Sequence, residues 1–291
     1  MVDGKFVNID LYDLGLKIDD PIFLESLFDI HYGHIGCDVK LLERRLNAII
    51  DDPARFTLFG GDQIDAINIY DRRFNPDMVD PTLYDLNNQT GELLEILQPL
   101  YDQHLKQKKG NFNPDKKQNN STNELIWWYL HGNHEYKIKE LTRAYLERHY
   151  CKPYNVDFLG AKAICGLRVK YKKKVLSEWS IASMHGSGGG QPENMFRDMK
   201  KNQNADVYIC GHIHQKRYQP ETVLDFDWTS GRPYFRDIHL VNGGTFQNAL
   251  TLGHDGYMDR KNGFTPTNIG TVTLEFNALE GKITGHLGGN L

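Results

Sequence analysis

Aspartate, histidine and asparagine recur in this chain in short pieces far apart in sequence, each beside a glycine or asparagine: Asp29-Ile30-His31, Gly61-Asp62, Gly132-Asn133-His134-Glu135, His185-Gly186 and Gly211-His212-Ile213-His214. Carboxylate and amide oxygens combined with imidazole nitrogens suit borderline divalent metals. The pieces hold enough donors for two neighbouring ions with positions left for water. Ions ~3.5–4 Å apart favour hydrolysis of an anionic ester, because they bind its oxygens and lower the pKa of a bound water. A carboxylate between the ions offsets their mutual repulsion, and Asp62, on a glycine turn, fits that place. Asp29-x-His31 and His212-x-His214 read as extended segments, whose period of two points both side chains of each pair the same way, toward one metal cluster.

Such residues need a rigid frame. Residues 21–30 (PIFLESLFDI) read as a buried strand that delivers Asp29 and His31 at its carboxyl end, where open α/β sheets place ligands. Val39, Leu42, Leu46 and Ile49 then recur at helical spacing over 38–50, with Asp38 as N-cap. Residues 55–59 form a second strand that runs into Gly60-Gly61-Asp62. The spacing predicts a helix over 93–104, kinked at Pro99, and the polar Lys, Asn and Gln tract to residue 123 reads as a mobile loop. Together 70–123 reads as an insertion. Residues 125–130 (LIWWYL) form a third strand ahead of His131-Gly132-Asn133-His134-Glu135, followed by a helical run to His149. Beyond Pro153, 163–171 and 175–184 predict a hairpin turning at Lys172-Lys173-Lys174 and ending at His185. A helix over 191–202, a strand over 205–210 and strands over 238–241 and 271–276 complete the reading. With no repeat and no linker, the 291 residues form a single domain, 1–291.

Composition narrows the classes. A net charge of -4 gives no overall basic field, so nucleic acid would have to be held by a local patch. Cys37, Cys151, Cys165 and Cys210 lack Cys-x-x-Cys spacing, which fits reduced thiols and neither a disulfide scaffold nor a zinc finger. The first twenty or so residues lack the apolar core of a signal peptide, and no window reaches the ~18 apolar residues of a membrane span. The expectation is a soluble, cytoplasmic protein with no membrane partner.

The ordered series Asp-x-His, Gly-Asp, Gly-Asn-His-Glu, His and Gly-His-x-His resembles the calcineurin-like metallophosphoesterase superfamily. The blocks span Asp29 to His214, and Asn242-Gly243-Gly244-Thr245 resembles the turn that often follows the last one. The resemblance implies an α/β (α+β) sandwich of two mixed sheets packed face to face and flanked by helices, with the metal site on loops at one sheet edge. It also implies roles. Asp29, His31 and His214 would hold one divalent ion and Asn133, His185 and His212 the other, with Asp62 bridging. Manganese is the first choice, with iron, zinc, cobalt or nickel as alternatives. His134 would protonate the leaving group, Asp65 would orient His134, and a metal-activated hydroxide would be the nucleophile.

The superfamily cleaves both monoesters and diesters. Its Ser/Thr phosphatase branch carries arginines near positions held here by Ala66 and His131, and its purple acid phosphatase branch has a metal-binding tyrosine where Asp65 stands. These departures lean the reading toward a phosphodiesterase acting on nucleic acid or a nucleotide. The alternatives are a phosphomonoesterase acting on a protein or metabolite, and an inactive scaffold with the same fold. His34 and Gly188-Gly189-Gly190 are candidates for substrate contact, and Lys106, Lys108, Lys109, Lys116, Lys117 and Lys172 to Lys174 for guiding an anion. His104, His149, His239, His254 and His286 read as structural.

Overall fold

The computed structural model of the protein describes residues 3–67, 74–110, 123–142, 147–187, 192–248 and 268–288. Five strands make the smaller of two mixed sheets: β2 (Ile22–Leu27), β3 (Arg55–Phe59), β4 (Ile126–Tyr129), β11 (Thr273–Asn277) and β12 (Lys282–His286), in the order β12-β11-β2-β3-β4. β2, β3 and β4 are parallel neighbours, and β11 joins β2 antiparallel. The larger sheet contains β1 (Asp3–Asp10), β5 (Lys162–Tyr171), β6 (Lys174–Met184), β7 (Val207–Cys210), β8 (Lys216–Asp227), β9 (Arg232–Thr245) and β10 (Gly270–Thr271). Its order is β1-β5-β6-β7-β9-β10, with β8 antiparallel to β9, and β6, β7 and β9 are its parallel trio.

The sheets share one apolar core. Ile9, Leu24, Phe56, Leu167, Ile209 and Leu274 belong to it, so inward-facing residues of both sheets interdigitate. On the far side of the smaller sheet, α1 (Val39–Asp51) and α2 (Leu86–Gly110) pack through Leu42, Leu46 and Ile49 and through Leu93, Leu97 and Leu100. Asp38 caps α1 by accepting from the Leu41 N–H at 2.8 Å. On the larger sheet's outer face, α5 (Pro192–Asn202) lays Met195, Phe196 and Met199 against Tyr208, Ile238 and Leu240. The result is an α+β sandwich of two mixed sheets with helices outside. No helix among the described residues is long and apolar enough to cross a membrane.

The expected strands over 21–30, 55–59, 125–130 and 205–210 are β2, β3, β4 and β7, almost wholly buried. Strands covered on both faces read as continuous apolar runs. The hairpin over 163–184 is β5 and β6, antiparallel as expected. β1, β8 and β12 were not foreseen. They carry exposed or half-exposed residues along much of their length, and β8 contains Pro220, so neither an apolar run nor a clean strand signal marks them. The helix expected over 93–104 extends across residues 86–110 with Pro99 inside it. Its first turn is polar, Asn87-Asn88-Gln89, and shows no apolar period. Residues 68–73 and 111–122 of the expected insertion lie outside the described residues. The run after Asn133 divides into α3 (Asn133–Thr142) and α4 (Glu147–Tyr150), with 143–146 outside the description.

Candidate metal centre

The pieces singled out by sequence follow the carboxyl ends of β2, β3, β4, β6 and β7. Phe28, fully buried just after β2, gathers several of them. Gly60, Gly211 and Gly243 surround its ring so closely that a Cβ on any of the three would overlap it. Gly132 plays the same part for Asp62, since a Cβ there would run into the Asp62 carboxylate. Close approach of backbone to side chain is the reason for glycine at these positions.

The paired residues do not converge by strand alternation, which corrects the expectation of extended Asp-x-His and His-x-His segments. Asp29, His31, Asp62, His212 and His214 all have left-handed backbones, with φ of 50°, 52°, 53°, 70° and 57°. A non-glycine residue held there costs of order 1–3 kcal/mol and persists only where its surroundings enforce it. The enforcing bonds are visible. Asp29 N–H donates to the Gly61 carbonyl (3.1 Å) and His31 N–H to the Asp62 carbonyl (3.0 Å). The Asp29 carbonyl accepts from Thr245 Oγ1 (2.8 Å) and Phe246 N–H (3.0 Å).

Ligand atoms gather in groups whose members lie within 4.8 Å of one another: Asp29, His31 and His214; Asp62, His185 and His212; and His31, Asp62 and His134. In the first group, the Nε2 atoms of His31 and His214 face each other at 3.1 Å. Asp29 Oδ1 lies 3.4 Å from His214 Nε2 and 3.8 Å from His31 Nε2. In the second, His185 Nε2 is 3.1 Å from Asp62 Oδ2 and 3.2 Å from Asn133 Oδ1. Asp62 Oδ2 is also 3.9 Å from the Nε2 atoms of both His31 and His134, so this one carboxylate faces every group. Asn133 arrives as the first residue of α3, not from a strand.

The donor chemistry fits divalent cations. Asp29 Oδ1 is buried and accepts no hydrogen bond among the described residues, although imidazole nitrogens surround it. His185 donates Nδ1–H to the Gly60 carbonyl at 3.0 Å, which leaves Nε2 as its ligand atom. His31 Nδ1 faces Asp65 Oδ1 at 3.3 Å in the same manner. His212 is tied to the first group by its backbone N–H, which donates to Asp29 Oδ2 at 2.8 Å.

Asp65 differs from expectation in one respect. Its carboxylate meets His31, whereas His134 Nδ1 meets the Asp65 backbone carbonyl. The His134 ring is therefore oriented by a main-chain atom. Glu135, which sequence reasoning quoted without giving it a task, proves to be the clamp of the site. Its buried carboxyl accepts from the N–H groups of Asp62 (3.0 Å), Gln63 (2.6 Å) and Gly132 (3.0 Å), fastening the loop after β3 to the loop after β4. The signal was its place in a run of potential donors, but backbone partners leave no mark in sequence.

Electrostatics follow from crowding. Burial alone would raise the carboxyls of Asp29, Asp62 and Asp65. Nearby histidines outweigh it, chiefly His185 for Asp29 and Asp62 and His31 for Asp65, and all three are held below the usual carboxylate range. Burial would likewise lower His31 and His185. The carboxylates win there too: Asp29 and Asp65 raise His31 to about 10, and Asp62 and Asp29 raise His185 to about 9. Glu135 is pushed up to about 8 by burial and by the charge of Asp62. The buried carboxylates are thus offset by protons on His31 and His185.

Other candidates have structural employment. His34 Nδ1 accepts from the Gly36 N–H (2.9 Å) and closes a turn. His104 Nδ1 accepts from Ile126 N–H, His239 stacks on Tyr218, and His286 pairs with Glu275. Lys108 pairs with Glu124 at 3.2 Å, and Lys172 lies over the Tyr12 ring. Gly188-Gly189-Gly190, His254, Lys116 and Lys117 lie outside the described residues, as does the side chain of Lys109. A scan against protein-family models and a search of curated proteins find no match to this chain.

Proposed function

We propose that the chain is a binuclear metal-dependent phosphoesterase of the calcineurin-like kind, with a preference for phosphodiesters such as nucleic acid or nucleotides. The observation that carries this reading is the placement of Asp62, whose carboxylate faces both Asp29-His31-His214 and His185-His212. In this reading Asp29, His31 and His214 would hold one ion and Asn133, His185 and His212 the other, with Asp62 shared between them, all on loops at one edge of the sandwich. Two divalent ions, when bound, supply Lewis acidity toward the ester oxygens and lower the pKa of a water.

The chain's own residues supply the rest. His134 Nδ1–H donates to the Asp65 carbonyl, and Nε2 is the ring nitrogen that would exchange a proton with a substrate oxygen. Its backbone N–H donates to Asp62 Oδ1 at 2.9 Å, which keeps the ring in register with the bridging carboxylate. Burial of Asp29, Asp62 and His185 excludes water from behind the ligands. The diester preference rests on two positions near which the Ser/Thr phosphatase branch carries arginines. Ala66 has no charge, and the His131 ring lies against Tyr136 and Phe158, 5.5 and 5.7 Å between centroids.

The test is hydrolysis of bis-p-nitrophenyl phosphate and p-nitrophenyl phosphate by metal-stripped protein reloaded with Mn²⁺, with Asp62→Asn as control. Faster diester cleavage that vanishes in the variant is the expected result. Faster monoester cleavage would move the reading to a phosphatase, and no turnover of either would favour a non-catalytic scaffold.

A further inference from the structure

We propose that Gln89, in the first turns of α2, is a positioning residue for His134 and acts through the peptide group between Asp65 and Ala66. The proposal rests on the proton-transfer role given to His134 above. That ring is oriented by the Asp65 carbonyl, which accepts from its Nδ1–H. The carbonyl shares its peptide group with the Ala66 N–H, and in a trans peptide the two point in opposite directions. The Ala66 N–H donates to Gln89 Oε1 at 3.0 Å. Gln89 and His134 therefore grip one rigid plane from its two sides.

The plane needs that grip. Ala66 has φ of 53°, the left-handed region that a residue with a Cβ keeps only under compulsion. Turning over the 65–66 peptide would return Ala66 to ordinary extended backbone and swing the Asp65 carbonyl away from His134. The Asp65 N–H is bonded to the Tyr32 carbonyl at 2.8 Å, so the turn would be confined to this one peptide. Gln89 opposes it from a fixed seat. Its side chain is fully buried, its Nε2 donates to the Leu83 carbonyl at 2.8 Å, and it fills the space over Gly33, where a Cβ would overlap it. With Nε2 assigned as donor, Oε1 is the acceptor that faces Ala66. A hydrogen-bond chain thus runs one way from His134 Nδ1–H through the 65–66 peptide and the Gln89 amide to the Leu83 carbonyl, each amide polarising the next. The polar first turns of α2, which carry no apolar period, have a task in this chain.

Imidazole NMR of the metal-free full chain tests the link without reference to activity. The His134 Nδ1–H resonance, assigned by its loss in His134→Ala, should be protected from solvent exchange in the wild type. Gln89→Met, similar in length but lacking both bonds, should speed that exchange ~10-fold, about what one lost hydrogen bond is worth. Gln89→Glu, kept protonated by burial, retains an oxygen toward Ala66 and should retain the protection. In Mn²⁺-loaded protein, Gln89→Met should leave metal stoichiometry and KM for a diester unchanged and lower kcat by ~10-fold or more. The loss should be larger for diphenyl phosphate than for bis-p-nitrophenyl phosphate, whose better leaving group has less need of a proton. Unchanged Nδ1–H exchange in Gln89→Met, or equal losses for the two esters, would overturn the inference. So would free exchange of the Ala66 amide in the wild type, a measurement that requires no variant to fold. Wild-type protein that cleaves neither ester, with His134 Nδ1–H still deprotected in Gln89→Met, would sustain the link and overturn the proposed function alone.

Discussion

Asp65 touches the two histidines beside it through different atoms, and that separates their roles. Asp65→Asn keeps the carbonyl that orients His134 but replaces the carboxylate facing His31 Nδ1. Titration calorimetry should therefore find Mn²⁺ bound ~10–100-fold more weakly, the usual cost of losing a partner behind a ligating imidazole, while the pH profile of the proposed hydrolysis by fully loaded protein stays in place. A shifted profile with unchanged affinity would assign the carboxylate to His134 after all. His134→Ala should leave metal stoichiometry intact and cut turnover by ~10²–10⁴-fold, and an unchanged rate would remove His134 from the chemistry. Protons report on the same site. His31 and His185 titrate near 10 and 9 in the metal-free fold, above their ordinary value of 6.5. The stability they contribute to that form is fully present below ~6.5 and lost as pH rises through 9 to 10. Metal needs these nitrogens unprotonated, so loading at pH 7.5 should release about two protons per chain, and apparent affinity should climb with pH. Calorimetry in buffers of different ionisation enthalpy measures the release, and none at all would contradict the protonation pattern. The residue types were legible because few other tasks gather Asp, His and Asn on glycine turns. The Gly60 and Asp65 carbonyls that orient His185 and His134 were not, since every residue has a carbonyl.

At the scale of elements, the site depends on how β2, β3 and β4 are held in parallel, and a buried ionic knot contributes. Glu25, fully buried on β2, pairs with Arg45 of α1 and with Arg55 of β3 (2.7 Å), and accepts from Thr271 (2.7 Å) and Thr273 (3.0 Å). It joins helix and sheet a few residues upstream of Asp29. Removing one partner strands buried charge, so Glu25→Leu should destabilise the fold by ~3–5 kcal/mol, read as a lower urea midpoint. A loss under ~1 kcal/mol would show that the arginines find water. Within PIFLESLFDI this glutamate reads as a polar interruption of an apolar strand, because its arginine partners are distant in sequence. α1 was legible to its cap, since Asp38 and the Leu42-Leu46-Ile49 stripe are local signals. The left-handed turns at Asp29, His31, His212 and His214 were not, because non-glycine residues adopt that backbone only under tertiary compulsion.

Across the whole molecule, β2, β3, β4 and β7 were legible as apolar runs because both their faces are buried, and their carboxyl ends carry candidate ligands, whereas the half-exposed β5–β6 hairpin was legible by alternation. β1, β8 and β12, less legible, carry exposed residues and show no apolar run. In the proposed function a pair of divalent ions would share Asp62. Electron paramagnetic resonance of metal-stripped protein reloaded with Mn²⁺, alongside metal analysis, tests it most directly. Two Mn²⁺ per chain with an exchange-coupled spectrum are expected, with loss of the coupling in Asp62→Asn. A single ion per chain, or two ions giving the uncoupled spectrum of isolated Mn²⁺, would contradict it.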